Sequence, residues 1–228
     1  IALSDMAYEN DNIDLAIEYL NKGAELNSSD FDLVVRKAKY QRELKQYDDA
    51  INSLSGLNIK NEQIKIMLNK EIFMIYLEQE DYNNAIILGT SIVEDMFNST
   101  KIEDKTLAET CYNVAICNRY LGYESYNKVV DTINEGTSDK GILENTLEQA
   151  ETALNYFKIS KERFYDASSF DPDDNKSTTY AKDLNQLIKS IRKTFIPEIK
   201  KLIRQSEKSD ATSEKNLDND KLEEPNNE

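Results

Sequence analysis

The chain has 228 residues, 39% hydrophobic and 31% charged, with only six Gly and three Pro. So few turn residues exclude an all-β architecture, and Leu, Ile, Ala, Glu and Lys at helical spacing point to an all-α protein. The formal charge of −15 repels phosphate backbones and anionic lipid, so nucleic acid is excluded as a partner. No window reaches the ~18 uninterrupted apolar residues of a membrane span.

The sequence opens on Ile1 within "IALSDMAYEN", which already reads as helix. We therefore expect something to precede it, whether a signal segment, a linker or further repeats. The compartment stays open between cytoplasmic, which free thiols favour, and periplasmic or extracytoplasmic. "NIDLAIEYL", "QYDDAINSL" and "DYNNAIILG" then repeat one pattern: a bulky residue (Ile13, Tyr47, Tyr82), two variable ones, then Ala and Ile. Ala16, Ala50 and Ala85 stand 34 and 35 residues apart, a period that marks stacked helical repeats. In the middle unit, Val34, Ala38 and Gln41 share one helix face, and Tyr47, Ala50, Ile51, Leu54 and Leu57 form an apolar stripe on the next. Such a pair cannot bury both stripes alone and needs neighbours.

These units resemble the tetratricopeptide repeat. The matching residues are Leu3, Ser4, Ile13, Ala16, Leu20 and Gly23 in the first unit, and Ala38, Tyr47, Ala50 and Leu54 in the second. In the third they are Tyr76, Tyr82, Ala85 and Ile92, with Phe73 at the usual small position. A fourth unit is split: Ala115 and Leu121–Gly122 match a first helix, and Phe164, Ala167 and Pro172 the second. The resemblance implies an all-α helical-hairpin repeat solenoid, a right-handed superhelix with a long C-terminal helical hairpin and a capping helix. It covers 1–174 in units of about 1–29, 30–64, 65–104 and 105–174, the last with an inserted helical extension over 123–153.

Within that insertion Tyr126, Val129, Val130 and Ile133 continue the helix to "NEGTSDKGI", and Leu143, Leu147, Ala150 and Leu154 resume it. A first helix over 107–134, roughly 41 Å long, would then project beyond an ordinary pair, either as a longer hairpin or as a surface offered to a partner. Residues 175–205 read as a capping helix with Tyr180, Leu184, Leu187, Ile188, Ile191 and Phe195 buried, and Pro197 kinking or interrupting it. From 206 to 228 acidic side chains dominate, and we expect disorder. That tethered tail, ending "KLEEPNNE", could compete for a binding site within the chain.

Residues that carry chemistry are scarce. There is no histidine, which removes imidazole as base and as metal ligand. Cys111 and Cys117 lie six residues apart on one helix, ~9 Å along its axis, too far to pair. They read as buried small hydrophobes. "DPDDN" at 171–175 has alternating acids, but Lys176 and Lys182 stand where a calcium loop needs Gly and Glu, so it reads as a turn. No cofactor and no enzymatic activity are expected.

The resemblance implies a concave groove lined by first helices, holding a peptide or helix of another protein. Its geometry places there Asp5, Tyr8 and Glu9, then Lys39, Arg42 and Glu43, then Lys70, Met74 and Leu77, and last Tyr112, Ile116, Arg119 and Tyr120. Lys39, Arg42, Lys70 and Arg119 would make a positive patch suited to an acidic or C-terminal peptide. Alternatively they pair with groove acids such as Glu43 and Glu78. The family's carboxylate-clamp version uses Asn where this chain has Asp5, Lys39, Met74 and Ile116, which argues against a chaperone-tail receptor. The competing reading is a structural subunit, a homo-oligomer joined through the terminal helix or the long hairpin.

Overall fold

The computed structural model describes residues 1–27, 30–57, 59–99 and 103–220. Over these residues the chain is helical throughout, in two compact units, Ile1–Val114 and Ala115–Glu228.

The first unit holds three hairpins: α1 (Ala2–Glu9) with α2 (Ile13–Leu26), α3 (Phe31–Glu43) with α4 (Tyr47–Ser55), and α5 (Glu62–Glu78) with α6 (Tyr82–Phe97). The alanines that mark the period, Ala16, Ala50 and Ala85, are all fully buried, because only a methyl group fits where two helices approach closely. Around them Leu20 and Leu33 close one core, and Ala38, Leu54, Leu68 and Ile75 the next. Each hairpin turns through one left-handed residue: Asp11, Lys45 and Glu80, with φ of 58°, 58° and 57°. The same pair of bonds closes each turn. Asn12, Gln46 and Asp81 donate N–H to the carbonyls of Ala7, Gln41 and Tyr76, at 3.0, 2.8 and 2.9 Å. Asp11, Lys45 and Glu80 donate to Tyr8, Arg42 and Leu77, at 2.9, 2.8 and 3.1 Å. This is the Schellman closure, which satisfies orphan carbonyls at a helix end. Asn12 and Asp81 then cap the following helix through their side chains.

Helix α7 spans Asp104–Glu135, 32 residues and ~48 Å long. In the second unit it turns at Gly136 (φ 71°) and returns as α8 (Lys140–Phe170). Ala115 is fully buried, and its carbonyl accepts a 2.7 Å bond from the Ser160 hydroxyl. Phe164 and Ala167 are buried on α8 as the repeat pattern requires. Helix α9 (Asn175–Ser190) starts on the Asp174 side chain and leads through a π-turn, Ile191–Phe195, into α10 (Ile196–Asp220).

Two features differ from the sequence expectations. First, the distal part of the long hairpin is not bare. Val129, Ile133, Leu147 and Ala150 pack against Phe195, Ile196, Ile199 and Ile203 of the terminal segment. Second, α10 carries helical backbone to Asp220, through a stretch where composition argues for disorder. Ser206 is buried there, and Glu207 pairs with Lys140 at 2.9 Å, fixing the start of that stretch to the hairpin. Residues 221–228, with the idea of an internal competitor, lie outside the described residues. Pro197 leaves its mark as the π-turn just ahead of it: Ile196 N–H bonds the carbonyl of Ile191, five residues back. The chain rewinds there and continues, where a break would have been the other outcome.

Candidate functional site

In the first unit, the faces of α1, α3 and α5 turned away from their hairpin partners surround a hollow of about 800 Å³. Helical spacing brings Asp5, Tyr8 and Glu9 from α1 together with Val35, Arg36, Lys39, Tyr40 and Glu43 from α3 and Ile64, Met67, Leu68 and Glu71 from α5. Its lining mixes apolar and charged side chains. Met67 stays 60% exposed there, although it sits beside buried Leu68.

Contacts across consecutive repeats order this face. The rings of Tyr8 and Tyr40 stack with centroids 4.6 Å apart and planes 10° apart. Tyr8 donates its hydroxyl to Glu43 at 3.0 Å, and that bond and the carboxylate charge push the phenol pKa above its usual value. Arg36 of α3 bonds to Asp5 of α1. Lys39 and Arg42 both reach Glu71 of α5, at 3.3 and 3.4 Å, and Arg42 also reaches Glu78 at 3.2 Å. Lys70 of α5 reaches Glu109 at the start of α7, at 3.5 Å. Each first helix is thereby pinned to the next by a half-exposed ion pair, contributing ~0–1 kcal/mol apiece.

The residues singled out in sequence are distributed as follows. Tyr8 and Lys39 line the hollow, and Arg42 lies beside it, held by Glu71 and Glu78. Met74 and Leu77 are half-buried on α5, and Tyr112 is half-buried on the first-unit part of α7. Lys70 lines a second hollow of about 310 Å³ with Ile66, Met67, Met96 and Thr106. In the second unit, Ile116, Arg119 and Tyr120 line a hollow of about 320 Å³ with Tyr123, Glu124 and Asn127. The Arg119 guanidinium lies 4.2 Å from the centre of the Tyr180 ring.

The positive patch read from sequence is therefore corrected within the first unit. Lys39, Arg42 and Lys70 are each already matched by a carboxylate from the next repeat. The hollow's lining carries Asp5, Glu9, Asp32, Glu43 and Glu71 against Arg36 and Lys39, five against two, a net of −3. The alternative reading had named Glu78, which Arg42 reaches, but not Glu71 or Glu109, which stand about a repeat away in sequence. It also missed Val35, Arg36, Tyr40 and Met67. Positions 36, 39, 40 and 43 share one helix face by three-and-four spacing, and that signal could have found Arg36 and Tyr40.

Asp174, in the "DPDDN" stretch, spends its carboxylate on capping α9, accepting from the amides of Lys176 and Ser177. Among the described residues, no group of three or more Cys, Asp or Glu is placed to hold a metal ion, and no helix is long and apolar enough to cross a membrane.

No family model matches the chain, and no curated protein matches it in sequence. Its fold is shared with solved structures of MamA. One has a TM-score of 0.52 at 11% identity and covers 93% of this chain and 97% of that one. Another, MamA 41-end from Desulfovibrio magneticus RS-1, has a TM-score of 0.50 at 13% identity, with 92% and 93% covered. The chain thus has the all-α, helical-repeat solenoid fold of tetratricopeptide-repeat proteins.

Proposed function

We propose that the chain is a non-enzymatic protein-interaction scaffold that takes an extended peptide or a helix of another protein along the concave face of its first helices. The observation that carries this reading is the hollow of about 800 Å³ between α1, α3 and α5, with an exposed methionine and a stacked tyrosine pair in its lining. Concavity, adaptable Met and Tyr that is part apolar and part polar are what a peptide-binding surface needs. The buried cores shared by successive hairpins hold the helices in place, so little ordering is left for the binding step.

Site-specific photocrosslinking in native lysate tests this. A benzophenone side chain at Met67, inside the hollow, should capture a protein that the same group at Ile87, exposed on α6, does not. Equal capture from both positions, or capture from Ile87 alone, would overturn the groove reading.

An occupant that is an acidic or C-terminal peptide draws its support from the cations alone, and Lys39, Arg42 and Lys70 are already in ion pairs. The alternative of self-association through the terminal helix or the long hairpin is weakened by packing within the second unit. There Phe195, Ile196, Ile199 and Ile203 of the terminal segment pack on the hairpin of the same unit.

A further inference from the structure

We propose that the occupant of the first-unit hollow is a cationic segment, with Lys or Arg alternating with Leu-sized apolar anchors. This deepens the groove reading and rests on it. The lining's net charge is −3, and both of its cations are engaged: Arg36 with Asp5, and Lys39 with Glu71. A peptide carboxylate entering there must displace an existing partner and meets excess negative charge. A Lys or Arg side chain relieves that excess and can bond the lining carboxylates. The lining also offers apolar contacts between those cations, from Val35, Leu68 and the 60% exposed Met67. Tyr8 is 37% exposed beside the Glu43 carboxylate, so a guanidinium reaching Glu43 also meets an aromatic ring.

The chain as a whole is strongly acidic, so any cationic probe is attracted to it, and the test separates local from general charge. Fluorescence anisotropy of the full chain is measured with two labelled synthetic peptides, four repeats of Leu-Arg-Ser and four of Leu-Glu-Ser. The variant Glu9→Gln/Glu43→Gln/Glu71→Gln neutralises the hollow. Asp14→Asn/Glu18→Gln/Glu25→Gln on α2 changes net charge equally elsewhere. The arginine peptide should bind, roughly ten-fold more weakly to the first variant and within about two-fold of wild type to the second. If Glu71→Gln disturbs folding, Glu9→Gln/Glu43→Gln alone should weaken binding by roughly five-fold.

Equal weakening by both variants would assign binding to general charge and overturn the proposal. So would absence of binding by either peptide. Tighter binding of the glutamate peptide, with continued crosslinking at Met67, would overturn the charge assignment and leave the groove reading standing. Loss of both would remove the two together.

Discussion

Gly89 on α6 and Phe73 on α5 exchange the sizes that their repeat equivalents carry. One repeat earlier, 35 residues back in each case, Ala38 faces the hairpin partner and Leu54 supplies the bulk. In the third repeat the ring of Phe73 fills that space. A Cβ added at Gly89 would meet Phe73 Cε2 at 2.7 Å and Val114 Cγ2 at 2.6 Å. Phe73 is 1% exposed, so the bulky residue at a small position is matched by a missing side chain opposite it.

Gly89→Ala should therefore destabilise the fold by about 1–2 kcal/mol, overpacking outweighing the ~1 kcal/mol gain in helix propensity. In a Phe73→Leu background the ring carbons are gone, and the added methyl should cost measurably less. Val114 remains, so the cost does not vanish. Urea titrations of the four proteins check this. Additivity within ~0.5 kcal/mol would mean that the ring does not fill the glycine's space.

Lys45 sits in the left-handed region with a side chain that disfavours it. Its N–H already completes the turn, so Gly keeps the bonds and loses the Cβ strain. Lys45→Gly should stabilise by ~0.5–1 kcal/mol after the extra entropy of unfolded glycine is counted. Lys45→Val, β-branched at positive φ, should destabilise. A higher urea midpoint for Gly with an unchanged slope is the expected result, and a lower one would show that the lysine side chain contributes more than its conformation costs.

The hairpins were legible because the period is carried by residues with one steric job. Ala16, Ala50 and Ala85 each permit a close approach, and their spacing survives variation around them. The long pair α7–α8 was legible from its apolar spacing, and its covering by the terminal helix was not. The apolar positions 191, 195, 199 and 203 recur at four-residue steps, which drift ~40° each around an α-helix. The π-turn at Ile191–Phe195 holds an extra residue and brings Phe195 and Ile199 back onto the hairpin. That register cannot be read from an α-helical template. The ion pairs of the concave face were legible only in part: Glu78 could be named as a partner, but Glu71 matters to Lys39 only once α3 and α5 lie side by side.

Asp174 caps α9, and its acid behaviour can be foreseen from that. Burial pushes its pKa up, but bonds from the Ser177 hydroxyl and the amides of Lys176 and Ser177 outweigh burial and hold it below the ordinary carboxylate value. A depressed folded-state pKa gives stability that is present above the unfolded value and lost as pH falls through the folded one. Asp174→Ala should cost ~1 kcal/mol at neutral pH. The gap between variant and wild type should close as the pH is lowered through the acid range. A gap independent of pH would show that the carboxylate's charge plays no part in the cap.

Cys117 offers the opposite sign at the other end of the scale. The thiol is fully buried on α7, and desolvation pushes its pKa up to about 12. The folded state holds its proton where the unfolded chain has released it, so stability present below the ordinary thiol value is lost as pH rises toward about 12. The chain's 13 tyrosines titrate in the same region, so the contribution is isolated by comparison with Cys117→Ala. That variant loses a small packing contribution, ~1 kcal/mol at neutral pH. Its deficit should shrink, and then reverse, as the pH is raised above about 9. At pH 8, a disulfide-exchange reagent should modify Cys117 only at the rate of local opening, and sub-denaturing urea should accelerate the reaction. Reaction as fast as with a free thiol would mean that α7 is open around Cys117, and the pH dependence would then be absent as well.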